Sequence, residues 1–284
     1  MKDYKTLFLV LLLTAVGGLS SAQQKQSGYS IAQLMFQKSS EISSLTYVMK
    51  KQERIDGKMV KQSSFTKMEK MPFKVYIEQL SPKKGVEILY VEGDNNKALV
   101  NPNGFPWINL KLNPSDGIMR NDQHHTIFQS GFDHVVSILD QQCKANYDVI
   151  DQIITYNGIT THEGVDCYSI SLNNPKFEYI EYQVVGDESV EDIAIRNKLS
   201  EHMIVEINSD VRDYDDVKAG QIIKIPNGYC PKMNLLIDLN KLTPVKMEVH
   251  DDKGLYELYE YSEVVINPTF AEEEFTGDYK EYGF

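Results

Sequence analysis

The feature that most constrains the fold is an alternating run folded back on itself at one point. "LTYVMKKQERIDGKMVKQSSFTKMEK" (residues 45–70) places apolar and polar residues in turn on both sides of Asp56-Gly57. Asp-Gly is a two-residue hairpin signal, because both turn positions need a positive φ. Two long antiparallel strands are therefore expected, and the chain around them keeps the same rhythm. "PFKVYIEQLSP" and "GVEILYVEGDNNKALVNPN" read as further strands separated by Pro, Gly and Asn. "DVIDQIITYNGITTHEGVDCYSISLNN" and "MNLLIDLNKLTPVKMEVHDDKGLYELYEYSEVVINP" resume the pattern later, the second with a turn at "DDKG".

Three stretches break the β period. "YSIAQLMFQKSSEISSL" carries Ile31, Leu34, Met35 and Ile42 at helical spacing, with Ser30 as the expected cap. "SDGIMRNDQHHTIFQSGFDHVVSILDQQCK" (residues 115–144) reads as helical, with Phe128, Phe132, Val135, Val136 and Leu139 on one side. The third break, between Tyr182 and Pro226, reads strand, helix, helix, strand. Tyr182 and Val184 alternate. Ser189 caps a helix with Asp192 three residues on, and Val190, Ile193 and Ala194 share a face. Ser200 caps a second helix, Leu199 and Ile204 are spaced for a hydrophobic staple, and Met203, Ile204 and Ile207 form its buried face. Gly220 turns the chain into "QIIKIP", where Ile223 and Ile225 alternate and Pro226 ends the strand.

The N-terminus sets the expected compartment. Lys2 and Lys5 precede the apolar run "TLFLVLLLTAVGGL", followed by Ser20, Ser21 and Ala22. This is the layout of a signal peptide cleaved after Ala22. The run is shorter than the roughly 20 apolar residues of a bilayer span. The expectation is export to the periplasm or beyond, with no transmembrane segment in the mature protein. The net charge of −12 argues against a nucleic-acid partner, since a phosphate backbone needs clustered Lys and Arg. It argues equally against docking of the whole molecule onto anionic lipid. Of Cys143, Cys167 and Cys230, Cys167 and Cys230 face an offset of several residues if their strands pair. That offset exceeds the span of a disulfide, whose Cα atoms lie about 6 Å apart.

The sequence argues against a catalytic centre. "HHTIFQSGFDH" brings His124, His125, Asp133 and His134 close in sequence, and His162 could join them. On a helix, however, residues nine or ten apart are separated by roughly 13 Å. No HExxH, GxSxG, phosphate-binding Gly loop or dinucleotide fingerprint occurs. The histidines then read as surface and lid residues, and Trp107 with Phe105 as core or cavity lining. No metal, cofactor or catalytic residue is expected.

Two resemblances organise these elements. The opening helix followed by "QERIDGK", the paired "VEILYVEGDNNKALV" strands and "LTPVKMEVHDDKGLYELYEYSEVVINP" resemble the outer-membrane lipoprotein carrier superfamily, and within it a bacterial domain family of unknown function. The resemblance implies a curved, incomplete antiparallel barrel whose concave apolar face is covered by helices. The superfamily's carriers hold acyl chains there. The segment from Tyr182 resembles a LysM domain, the βααβ module that binds N-acetylglucosamine glycans such as peptidoglycan. It matches in order at Tyr182, Val184, Ile193-Ala194, Ile204 and Ile207 before Asn208, Val217, Gly220-Gln221 and Ile225-Pro226. The fold expected is thus α+β: a curved antiparallel half-barrel with a helical lid (28–179 and 228–284), interrupted by a LysM-like module (180–227), behind a signal peptide (1–22).

By position, the LysM resemblance implies a glycan groove lined by Gly186, Asp187, Glu188 and Ser189 on one side and Asn208, Ser209, Asp210 and Val211 on the other. Equal spacing from Tyr182 puts Asp187, Glu188 and Ser189 where the family has Gly-Asp-Thr, with Gly186 one residue early. The function implied is a non-catalytic cell-envelope binding protein. Its partners would be peptidoglycan or another N-acetylglucosamine glycan, and a lipid, lipoprotein or other apolar ligand for the half-barrel. Two further readings stay open: an envelope enzyme or enzyme regulator targeted by the module, and a structural scaffold with a degenerate module.

Overall fold

A computed structural model describes residues 26–284; the expected signal peptide lies outside them. The chain opens with α1 (Gly28–Ser40). Ser27, not Ser30, is the N-cap: its side chain accepts from the Ser30 amide while Ser30 Oγ accepts from the Ser27 amide. A meander follows: β1 (Ser44–Ile55), β2 (Lys58–Lys70), β3 (Phe73–Ser81), β4 (Glu87–Val91), β5 (Ala98–Asn101) and β6 (Leu110–Leu112). Ile55 pairs with Lys58 across the Asp56-Gly57 turn, and both turn residues have positive φ.

The region read as one long helix is shorter and broken. It holds α2 (Gly117–Arg120), a 3₁₀ turn (Ile127–Gln129) and α3 (Asp133–Ala145). The interruption has local causes. Asp122 adopts φ +60° just after α2. Gly131 has φ +84°, donates its amide to Tyr47 Oη, and sits where a Cβ would meet Met68 Sδ at 2.8 Å. Only glycine satisfies both demands there. Phe128, expected on the buried side, is exposed, whereas Phe132, Val135 and Leu139 are buried.

After α4 (Ile150–Ile153) come β7 (Ile154–His162) and β8 (Val165–Asn173). Then follow β9 (Tyr179–Gln183), α5 (Val190–Asn197), α6 (Glu201–Ile207) and β10 (Ile222–Pro226). The chain closes with β11 (Lys232–Asp238), β12 (Pro244–Asp251) and β13 (Gly254–Ile266). Eleven strands form one open antiparallel sheet, in the order β6-β5-β4-β3-β2-β1-β13-β12-β11-β8-β7. β9 and β10 form a separate pair.

β8 and β11 are hydrogen-bonded neighbours, with Asn173 opposite Lys232. The segment between them therefore occupies the place of a hairpin loop, and the sheet continues past it without a change of order. Cys167 faces Asp238 rather than Cys230, and all three cysteines are free and buried.

One apolar core lies between the sheet and its helices, joining Ile31, Ala32 and Met35 of α1, Val135, Ile138 and Leu139 of α3, and inward strand residues such as Tyr47, Leu235, Met247 and Tyr256. β12 alternates buried and half-buried residues along its length, as one buried face requires. The acidic, aromatic tail packs elsewhere: Phe275, Tyr282 and Phe284 cover Tyr76 and Leu89, with the Tyr76 and Tyr282 rings stacked at 3.7 Å.

Candidate functional site

The β9–β10 unit has a core of its own, built from Val184, Val190, Ile193, Ala194, Leu199, Ile204, Val211, Ile223 and Ile225. Ser189 and Asp192 form the reciprocal cap at the start of α5, at 3.1 Å and 2.9 Å. Ser200 caps α6, and Leu199 and Ile204 both enter this core.

The two loops named from sequence divide into exposed and structural residues. Gly186 and Asp187 are exposed, and Gly186 has φ +60°. Glycine is thus used one residue early, where the turn needs it. Glu188 is half-buried and occupied: it accepts from Tyr182 Oη at 2.7 Å, the Val185 amide at 2.6 Å and the Arg196 guanidinium at 2.6 Å. Burial would raise this carboxyl, but those donors hold it below its usual range. Asn208 is buried and donates to the carbonyls of Ile204 and Lys224, each at 2.7 Å, while accepting from the Lys224 amide at 2.8 Å. It ties α6 to β10. Val211 lies in the small core. Ser209 and Asp210 are exposed. They line an open depression with Arg212, Asp216 and the Lys218–Gln221 turn, and residues 186–189 do not contribute to it.

The unit does not hang from the sheet. α6 faces two ways: Ile204 enters the small core, while Met203 and Ile207 pack into the large one. Fully burying a Met side chain stabilises by about 1.5–3 kcal/mol. Polar groups complete the seam. Glu201 on α6 is 3% exposed and pairs with Arg120 of α2, itself 3% exposed. The Arg120 guanidinium lies over the Tyr214 ring at 3.4 Å. Ser200 Oγ shares a hydrogen bond with Tyr256 Oη at 2.9 Å, and Lys253 meets Glu206 at 2.8 Å.

At this seam the histidines come together, against the expectation from a helical reading. His124 and His125 lie on the loop between α2 and the 3₁₀ turn, so the loop folds back instead of extending along an axis. The His125 and His134 ring centroids are 4.5 Å apart, and His124 stacks on His202 of α6 at 4.4 Å. They are not surface groups: His124 is fully buried. His124 Nδ1 bonds Glu257 at 2.8 Å and its Nε2 meets the Arg54 carbonyl at 3.0 Å. Tyr229 Oη donates to Glu257, and Tyr259 Oη to Glu53. Lys51 pairs with Glu53 at 2.9 Å. His162 takes no part and lies against Glu260.

The charge in this network is balanced. Burial alone raises the Glu53 carboxyl, but Lys51, His124 and His125 outweigh it and hold it down at about 2. Glu257 is likewise held far below its usual range, against burial, by His125 and His124. Burial lowers the His124 imidazole, yet the Glu257 hydrogen bond and the Glu53 charge raise it above normal. His134 and His202 go the other way. Burial first, then a neighbouring histidine, pushes each down to about 3, and neither Nε2 has a partner among the described residues.

The network borders a cavity of about 100 Å³ between sheet and lid. Lys51, Glu53, His125 and His134 line its polar end, and Tyr47, Met49, Ile77, Ile88, Ile127 and Met247 are among its apolar walls. That volume holds several waters but no long acyl chain with the lid as it stands. Among the described residues no cluster of His, Cys, Asp and Glu has the geometry of a metal site. No described helix is long and apolar enough to cross a membrane. Trp107 and Phe105, expected in core or cavity, are both exposed.

No curated protein matches the chain. The chain is similar in arrangement to several solved structures. One is the lipoprotein LppX of Mycobacterium tuberculosis, 9% identical, covering 86% of this chain and 97% of that one at a TM-score of 0.41. Another is a LolA superfamily protein from Nitrosomonas europaea, 11% identical, covering 89% and 99% at 0.31. A third is a DUF1329 family protein from Desulfovibrio piger, 12% identical, covering 88% and 96% at 0.34. A LysM domain model matches residues 182–226, the whole β9–β10 unit apart from its first strand residues. A second model, described as a protein of unknown function, DUF1571, matches residues 42–191, more than half of the 284 residues. The chain belongs to the DUF1571 family and carries a LysM domain between two neighbouring strands of its sheet.

Proposed function

We propose that this protein is a non-catalytic binding protein of the cell envelope. Its LysM module, residues 180–227, would hold it on peptidoglycan or another N-acetylglucosamine glycan. The observation that carries this reading is the LysM match over a βααβ unit whose Gly186, Asp187, Ser209 and Asp210 stand free of its core. Those four residues are the proposed contacts. Glu188, Ser189, Asn208 and Val211 hold the loops in shape, since their side chains are engaged within the module. The half-barrel would take an apolar ligand, lipid or partner beneath the lid, which must move to admit it.

The test is co-sedimentation with insoluble peptidoglycan. Deleting the module is a poor control, because Met203 and Ile207 fill the host core. Asp187→Trp with Ser209→Trp changes only exposed positions. The wild type should pellet with the glycan and the double variant should stay in solution. A wild type that does not pellet sinks the reading; a double variant that pellets equally well moves the site elsewhere.

A second reading has one observation behind it. Lys51, Glu53, His125 and His134 converge on the cavity, as an envelope enzyme or enzyme regulator would require. Against it, the one carboxylate there, Glu53, is already paired with Lys51 and accepts from Tyr259, which suits a structural polar core.

A further inference from the structure

The loop between β5 and β6 carries three large apolar side chains outward within four residues. Among the described residues, Phe105 is 87%, Trp107 78% and Ile108 62% exposed. The loop is a held shape. The Asn103 amide donates to Asn101 Oδ1 at 2.9 Å, and Asn103 Nδ2 donates to the Lys84 carbonyl at 3.0 Å. The Trp107 amide donates to the Gly104 carbonyl at 2.6 Å. Trp107 itself has φ +62°, a conformation that a bulky residue adopts only at a cost. The chain thus spends strain to turn its only tryptophan toward solvent.

The surroundings indicate what the tip meets. Glu87 pairs with Asn101, so the turn before β4 lies at the same end of the sheet. That turn carries Lys83 and Lys84, both exposed. Of the side-chain carboxylates at this end, Glu87 is buried and accepts from Tyr76, Asn101 and Gly283; the acidic tail also reaches here, with Gly283 and Phe284 lining a shallow depression beside Trp107 and Ile108. A chain with net charge −12 therefore presents adjacent cations beside its most exposed aromatic group. A protein partner would need a matching pocket for each of these side chains, which stand 62–87% exposed. A bilayer interface accepts protruding Trp and Phe without one, and favours them at headgroup depth.

We propose that the Phe105–Ile108 tip inserts into the headgroup region of a lipid bilayer, with Lys83 and Lys84 against anionic lipid. The contact is peripheral and independent of any spanning segment. It also differs from the electrostatic docking that net charge argues against, because its drive is local and largely apolar.

Trp107 is its own reporter. Being the chain's only tryptophan, it reads this loop alone, even where another segment holds the protein to a vesicle. The full chain is titrated with vesicles of phosphatidylethanolamine containing a minority of phosphatidylglycerol. The expected result is a blue shift of the emission and quenching by brominated acyl chains. Lys83→Glu with Lys84→Glu should weaken the effect roughly tenfold, and added salt should do the same to the wild type. Phe105→Ser with Ile108→Ser should weaken it at least as much while leaving Trp107 in place. Emission that stays at the position of a water-exposed indole at saturating lipid, with no quenching, overturns the proposal. A blue shift that appears without lipid as protein concentration rises assigns the tip to contact between copies, and overturns it equally.

Discussion

Replacing His202 by Phe tests whether the seam between module and sheet depends on neutral imidazoles. The His202 ring lies on His124 at 4.4 Å and 20°, and its Nε2 is buried without a partner among the described residues. Burial, then the charge on His124, pushes it down to about 3, against about 6.5 in an unfolded chain. A histidine lowered in this way favours the folded state while neutral. Its contribution is complete above pH 6.5 and is lost as the pH falls toward the folded value. From pH 7 to pH 5 the unfolded imidazole takes up most of a proton and the folded one almost none, so the loss is about 2 kcal/mol. Phe keeps an aromatic ring on His124 and removes the titration. His134, also lowered to about 3, weakens both proteins in the same window. His124, raised, acts in the opposite sense, with its contribution fully present below pH 6.5. Glu53 and Glu257 titrate below this window. Thermal unfolding at pH 7, 6 and 5 should show the wild type losing about 4–8 °C more than His202→Phe. Parallel losses in the two proteins would refute the reasoning.

Two other outcomes follow from the same seam and core. Arg120→Met leaves Glu201 buried without its cation and should cost about 3–5 kcal/mol in chemical denaturation, most of it recovered by adding Glu201→Met. The cysteines should be inert: burial pushes the Cys143 thiol up to about 12 and Cys167 to about 11. A maleimide should label none of the three in the native protein and all three in denaturant, as followed by mass spectrometry.

What the sequence disclosed was periodic or local. The Asp56-Gly57 hairpin, the Ser189–Asp192 cap and the buried residues of α6 follow from spacing within a few residues. The pairing of β1 with β13 follows from no local signal, since the partners lie at opposite ends of the chain. The histidine network was hidden for a definable reason. Residues 115–144 keep enough helical spacing to suggest one rod, and the rod places His124 and His134 far apart. Gly131 and Asp122 break it, and the break is what brings the rings together. Met203 read correctly as buried, but its spacing could not say that the core receiving it belongs to the other part of the molecule. Trp107 was misplaced because a large aromatic residue is usually buried; its outward turn rests on one positive φ.

The two-way packing of α6 has a mechanical consequence. The module joins the sheet through β8 and β11, strands that are hydrogen-bonded neighbours. A pull applied to the module alone would peel those strands apart from their open ends, breaking one hydrogen bond at a time. Met203 and Ile207, with the Arg120–Glu201 pair, route the load into the body of the sheet instead. A junction built this way transmits tension as a rigid lever would, and its first point of failure under force is the seam, before the strand connections are loaded.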